Sequence, residues 1–114
     1  MALSDPQTIT IATVAQTLNL IETQGLSSTY RTSDGVWELK ISHQTVLKNR
    51  TRRLVRLNKY FLDSLGAQQF FSFYVNIEEP SGNVATDTAI KDGIAGFITW
   101  FTSTIQDKIL GDQH

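Results

Sequence analysis

Residues Phe70-Phe71-Ser72-Phe73-Tyr74-Val75-Asn76-Ile77-Glu78 alternate without a break. Phe71, Phe73, Val75 and Ile77 form one row, and Ser72, Tyr74, Asn76 and Glu78 form the other. Successive strand side chains point to opposite faces, so this period of two predicts a strand with one apolar and one polar face. A sheet packed on one side only has that pattern. Pro80-Ser81-Gly82-Asn83 should end the sheet, because proline cannot donate to a ladder. Beyond Asn83 the period changes. Ala89, Ile90, Ile94, Phe97, Ile98, Phe101, Ile105 and Ile109 recur at three- and four-residue steps, which is helical. One boundary therefore separates a sheet (1–82) from C-terminal helices (85–111), and the expected class is α+β.

Working back from that strand, Asp63–Gln69 reads as a loop containing Gly66. The segment of about Lys48–Phe61 is a strand in which Arg50, Arg52, Arg56, Asn58 and Tyr60 share one parity, with Leu54 the exception. Arg53, Val55, Leu57, Lys59 and Phe61 share the other. A slip of one residue would turn Arg53 rather than Arg52 to the polar face, and hydrophobic parity favours Arg52. Trp37, Leu39 and Ile41 alternate with Glu38, Lys40 and Ser42 on the preceding strand. Ser33-Asp34-Gly35 is a hairpin turn, since Asp-Gly accepts positive φ. A short strand of about Leu26–Thr32 precedes it, with a turn at Gly25. The first residues form a hairpin: Ile9, Ile11 and Thr13 alternate with Thr8, Thr10 and Ala12, a bend follows near Val14–Gln16, and Leu18 and Leu20 begin the return strand.

In the helical region Thr86 is the expected N-cap, with Asp87 favouring the helix dipole. Gly93 and Gly96 admit two readings, a face for close backbone approach or a kink between shorter helices. Thr102-Ser103-Thr104 is the expected break, and Gly111 the stop. The expected architecture is an antiparallel meander, an N-terminal hairpin plus about five strands, with one or two helices packed on one face, in a single domain of 1–114. So few helical residues leave apolar surface and sheet edges uncovered, which an intertwined homodimer would close.

A net charge of −1 hides a one-sided distribution. Between Glu38 and Asp63 stand Lys40, Lys48, Arg50, Arg52, Arg53, Arg56 and Lys59 with no acid. The other residues hold three bases and all eleven acids, so +7 stands against −8. Local charge governs attraction to a polyanion. Parity places Lys40, Ser42, Arg50, Arg52, Arg56, Tyr74, Asn76 and Glu78 on one polar face. Cations neutralise phosphates, a Tyr ring stacks on an unpaired base, and Asn and Ser bond base edges or backbone. RNA that is single-stranded or folded into a hairpin is the expected ligand.

Other classes find little support. The 114 residues contain no cysteine, which excludes disulfides, thiolate metal sites and a Cys nucleophile. The two histidines, His43 and His114, have no ligand-cluster spacing. Neither a phosphate loop nor a convergent acid–base pair is present, so no enzymatic activity, cofactor or metal is expected. Neither a signal peptide nor a membrane span is expected.

These residues resemble the coat proteins of single-stranded RNA bacteriophages (leviviruses). The order of strands, basic run and helices agrees along nearly the whole chain. Tyr74-Val75-Asn76-Ile77-Glu78 looks like the family's Tyr-x-Asn-x-Glu, and Lys40-Ile41-Ser42 with the basic strand resembles its RNA-facing strands. The resemblance implies interlocked homodimers with a continuous sheet, the helices of each subunit packing across the other. It also implies an icosahedral shell (T=3-like) or virus-like particle with the sheet facing the genome, assembled in the host bacterial cytoplasm to give the virion capsid. In some members a dimer also binds an RNA hairpin and represses translation. The 63–69 loop is shorter than in better-known members and lacks their proline, which leaves shell size and symmetry open. The second functional reading is a non-viral dimeric RNA-binding regulator.

Overall fold

The computed structural model describes residues 2–46, 49–80 and 85–114, the side chain of Val46 excepted. Lys48 and the Ser81-Gly82-Asn83 turn lie outside the described residues. The chain divides into two compact units, Met1–Glu79 and Pro80–His114.

The first unit is a six-stranded antiparallel sheet whose spatial order is its sequence order: β1 (Gln7–Ile11), β2 (Val14–Gln24), β3 (Ser27–Arg31), β4 (Trp37–Val46), β5 (Arg50–Leu62) and β6 (Gln68–Pro80). Each strand pairs with the next through a short connection, so the sheet is a plain meander. Gly25 (φ +57), Gly35 (φ +74) and Gly66 (φ +80) occupy the turns that need a left-handed residue. Asp34 Oδ1 holds its turn by accepting from the Val36 N–H (3.0 Å) and the Thr32 hydroxyl (2.6 Å).

The first hairpin differs from the sequence expectation. Thr13 belongs not to the alternation but to a two-residue turn, Ala12-Thr13, with φ of 50° and 66°. Ile11 pairs directly with Val14, so β2 starts where a bend was expected. Positive φ at both central residues matches the twist of the flanking strands and outweighs the poor fit of Ala and Thr to that region.

The apolar face carries the core. Leu18, Tyr30, Leu39 and Leu57 are buried, one on each of β2 to β5, with Ile9, Leu20, Trp37 and Ile41 packed around them. Register explains the cluster: Leu20 faces Tyr30, Tyr30 faces Leu39, and Leu39 faces Leu57. The N-terminal segment is tied to this unit at two points. The Tyr30 hydroxyl donates to the Leu3 carbonyl (2.9 Å), and the Leu20 N–H donates to Asp5 Oδ1 (2.9 Å). Toward β6 the same face is uncovered: Phe61, Phe71, Phe73 and Val75 are all exposed, Phe73 at 59%.

The second unit contains α1 (Asp87–Trp100) and α2 (Ser103–Leu110). The Thr86 hydroxyl caps α1 by accepting from the Ala89 N–H (3.2 Å), with Asp87 in the first turn. Gly93 and Gly96 lie within an unbroken α1, so the kink between shorter helices does not occur there, and both face open space. The break falls at Phe101–Thr102, earlier than expected, because Thr102 adopts an extended conformation as the N-cap of α2 while Ser103 and Thr104 are already helical. Gly111 ends α2. Neither helix has a buried residue, and the rings of Phe97, Trp100 and Phe101 pack on one another.

Candidate nucleic-acid interface

The register of β4 against β5 decides which bases share a face. Glu38 pairs with Asn58, Lys40 with Arg56, Ser42 with Leu54, Gln44 with Arg52 and Val46 with Arg50, without a bulge. Residues paired across a ladder point to the same side. Arg52 therefore stands with Lys40 and Ser42, and Arg53 stands on the apolar face opposite His43. β6 follows from the hairpin closure, in which the Asp63 N–H donates to the Ala67 carbonyl (2.9 Å). Continued residue by residue, this places Phe70 beside Tyr60 and Glu78 beside Arg52. Contacts at both ends agree: the Tyr60 and Phe70 rings are 5.8 Å apart, and Arg52 and Glu78 form an ion pair at 3.6 Å.

The polar face is thus a set of rows. Glu22, Thr29, Lys40, Arg56 and Tyr74 form one. Ser42, Leu54 and Asn76 form the next, and Gln44, Arg52 and Glu78 the one beyond, beside Arg50. All eight residues singled out from the sequence lie on this face. Lys40, Tyr74, Asn76 and Glu78 are exposed, and Ser42, Arg50, Arg52 and Arg56 are half-buried. Tyr74 is 61% exposed, so its ring is open to a stacking partner. Lys40 and Arg56 sit directly across from each other, and the acid in their row, Glu22, stands two strands away from Lys40 on β2. Like charges directly opposite destabilise a sheet, by about 0.2–1 kcal/mol, unless an anion bridges them.

Glu38 and Asn58, which sequence analysis did not assign to the site, organise one edge of it. Both are buried, at 8% and 4% exposure. Glu38 accepts from Arg31 through Nε (3.2 Å) and Nη2, from Asn58 Nδ2 (3.2 Å) and from the Tyr60 hydroxyl (3.4 Å). Asn58 Oδ1 in turn accepts from Arg56 Nε (2.8 Å), and Arg56 Nη2 reaches Ser72 Oγ (3.4 Å). A carboxylate can only accept, which fixes the amide of Asn58 with its oxygen toward Arg56. The guanidinium of Arg56 is therefore held in place beside Lys40. The signal available in sequence was the odd pairing of a lone acid and an amide at polar-face parity on adjacent strands, but burial is not legible there.

Burial alone would push the Glu38 carboxyl up, but hydrogen bonds from Arg31, Asn58 and Tyr60 outweigh it and hold the carboxyl below its ordinary value. A depressed carboxyl stabilises the fold above its unfolded value and loses that contribution as pH falls through the folded one. Stability should therefore decline on acidification below the ordinary carboxylate range. Glu38→Gln should cost about 1 kcal/mol near neutrality and flatten that acid limb in urea unfolding curves. An undiminished acid limb would place the titration elsewhere.

The acid-free run of sequence is partly balanced in space. Glu78 lies near Arg50 (3.9 Å) and Arg52 (3.6 Å) on the polar face, and Glu79 binds Arg53 (2.7 Å) on the other. Arg53 also meets His43 Nδ1 (3.1 Å), so His43 sits in a polar cluster at the edge of the apolar face. Among the described residues no group of three His, Cys, Asp or Glu side chains could hold a metal. Among the described residues no helix is long and apolar enough to cross a membrane.

Comparison with known proteins gives these features a context. The chain matches the family described as "Phage phiCb5, coat protein" over residues 4–80, which includes the whole sheet. No curated protein matches it. Among solved structures, the virus-like particle of Beihai levi-like virus 21 superposes with a TM-score of 0.73 at 11% identity, covering 99% of this chain and 98% of that one. The virus-like particle of bacteriophage AVE019 gives 0.65 at 13% identity, covering 96% and 94%. That of bacteriophage NT-214 gives 0.62 at 13% identity, covering 95% and 93%. At such identities the likeness is one of fold, and it extends through both helices. With the match over residues 4–80, this chain belongs to the phage phiCb5 coat protein family: it is a structural component of a phage capsid and not an enzyme.

Proposed function

We propose that this coat protein acts as a single domain of 1–114 that forms interlocked homodimers, and that the dimers assemble in the bacterial cytoplasm into an icosahedral shell holding single-stranded genomic RNA on the polar sheet face. The observation that carries the RNA reading is the Lys40–Arg56 pair. Two cations are held opposite each other, next to an exposed Tyr74, on a face whose rows also present Ser42, Asn76, Arg50 and Arg52. A phosphate between Lys40 and Arg56 turns a local repulsion into two charge-assisted contacts. Tyr74 then supplies a sequence-tolerant stacking surface, suited to genome RNA and to the loop of a hairpin.

The dimer reading rests on what one chain leaves open. α1 and α2 bury none of their residues, and the β6 end of the apolar face exposes Phe71, Phe73 and Val75. β6 is also an edge strand with unpaired backbone groups. A second copy satisfies all three, and closed twofold symmetry makes the same surface serve both subunits.

The RNA reading is tested by binding of the full chain to single-stranded RNA across a salt series. Lys40→Ala should reduce the slope of log K against log salt by about 0.7, one phosphate contact on a single strand. A slope equal to that of the unsubstituted protein would remove Lys40 from the interface.

A further inference from the structure

Glu78 and Glu79 are neighbours in sequence but are held very differently. Glu79 Oε1 binds Arg53 through Nε (2.8 Å) and Nη2 (2.7 Å), and its side chain is only 16% exposed. Glu78 sits on the polar face, 40% exposed, with one oxygen shared loosely between Arg50 Nε at 3.9 Å and Arg52 Nη2 at 3.6 Å. Neither distance is a hydrogen bond. Arg52 Nε is buried from solvent and has no hydrogen-bond partner. An unpaired buried donor is costly, and a charged one more so. Two guanidiniums therefore face one carboxylate that satisfies neither, and one donor has nothing.

We propose that Glu78 is an intramolecular competitor for RNA: it holds Arg50 and Arg52 in the unbound subunit and gives them up to phosphates. The proposal rests on the reading of the polar face as an RNA interface and reverses the role of one of its residues. A carboxylate that contacts RNA directly must accept from a base edge. Here it has a nearer use, because loose, half-exposed ion pairs hold their partners weakly. Phosphates spaced along a strand can engage the exposed parts of Arg50 and Arg52 together, where a single carboxylate cannot. An isolated anion gains less against the same competitor. The arrangement would keep the unbound face from being saturated by small anions while still yielding to a polyanion.

The test uses the full-length chain and a short single-stranded RNA of mixed sequence, with anisotropy measured across a potassium chloride series. Glu78→Gln should bind the RNA about three- to tenfold more tightly at low salt. Its slope of log K against log salt should match that of the unsubstituted protein to within about 0.7, one phosphate contact on a single strand, because Arg50 and Arg52 reach phosphates in both. Glu78→Ala should give the same gain, which separates loss of charge from a new contact by the amide. Asp92→Asn removes the same charge from an exposed position on α1, outside the sheet, and is the control. Weaker binding by Glu78→Gln would make Glu78 a direct acceptor and overturn the proposal. A gain from Asp92→Asn equal to that from Glu78→Gln would also overturn it, reducing the effect to net charge. If the unsubstituted protein and every variant fail to bind RNA, the RNA reading of the whole face fails. Binding by the unsubstituted protein without a gain in Glu78→Gln defeats only the competitor role.

Discussion

Phe73→Asp should abolish shell assembly and leave monomers of normal secondary structure. Phe73 is 59% exposed in the single chain and contributes nothing to the buried row of Leu18, Tyr30, Leu39 and Leu57, so the sheet folds without it. In the proposed dimer it is covered by the helices of the other subunit. Burying one Phe is worth about 1.5–3 kcal/mol, and twofold symmetry counts the loss twice. Aspartate adds the cost of an unpaired carboxylate on a face being dehydrated. A loss of about 3–6 kcal/mol from transfer alone lowers dimer affinity by roughly two to four orders of magnitude. Sedimentation velocity at micromolar protein should show monomers, with an unaltered far-ultraviolet circular dichroism spectrum. Phe73→Leu, which keeps the apolar surface, should still assemble. Normal particles from Phe73→Asp would mean that this face is not an interface.

Tyr74→Ala should separate RNA recognition from assembly. Tyr74 points to the polar face, beside Arg56 in its row, and its exposure means that removing the ring opens no cavity. Losing one base-stacking platform costs about 1–3 kcal/mol. Binding of a hairpin with an unpaired loop should weaken accordingly in a filter assay, while Tyr74→Phe keeps most of the affinity. Particles should still form, because the residues assigned to the dimer lie on the other face. Unchanged hairpin affinity would refute the stacking role.

The alternation in 70–78 was enough to set the class, because a period of two that gives way to a helical period marks one sheet followed by helices. Parity was equally reliable for the face. Lys40, Ser42, Arg50, Arg52, Arg56, Tyr74, Asn76 and Glu78 share it because no bulge interrupts β4 and β5, so alternation survives along the whole ladder. What alternation does not reveal is long-range partnership. The run from Lys40 to Lys59 has no acid in sequence, yet Glu78 and Glu79 reach its arginines in space because the meander brings β5 and β6 side by side. The Ala12-Thr13 turn escaped notice because neither residue favours positive φ, so the strand geometry imposed it. The helix break moved for a similar reason: the cap geometry of Thr102 sets it, while the weak propensity of Ser103 and Thr104 does not.

The central claim is that this chain builds a closed shell around RNA. Electron micrographs of the purified protein, read together with its ratio of absorbance at about 260 to about 280 nm, test it most directly. Uniform closed particles with a nucleic-acid absorbance spectrum are the expected result. Dimers alone at every salt and protein concentration, with RNA supplied, would contradict it.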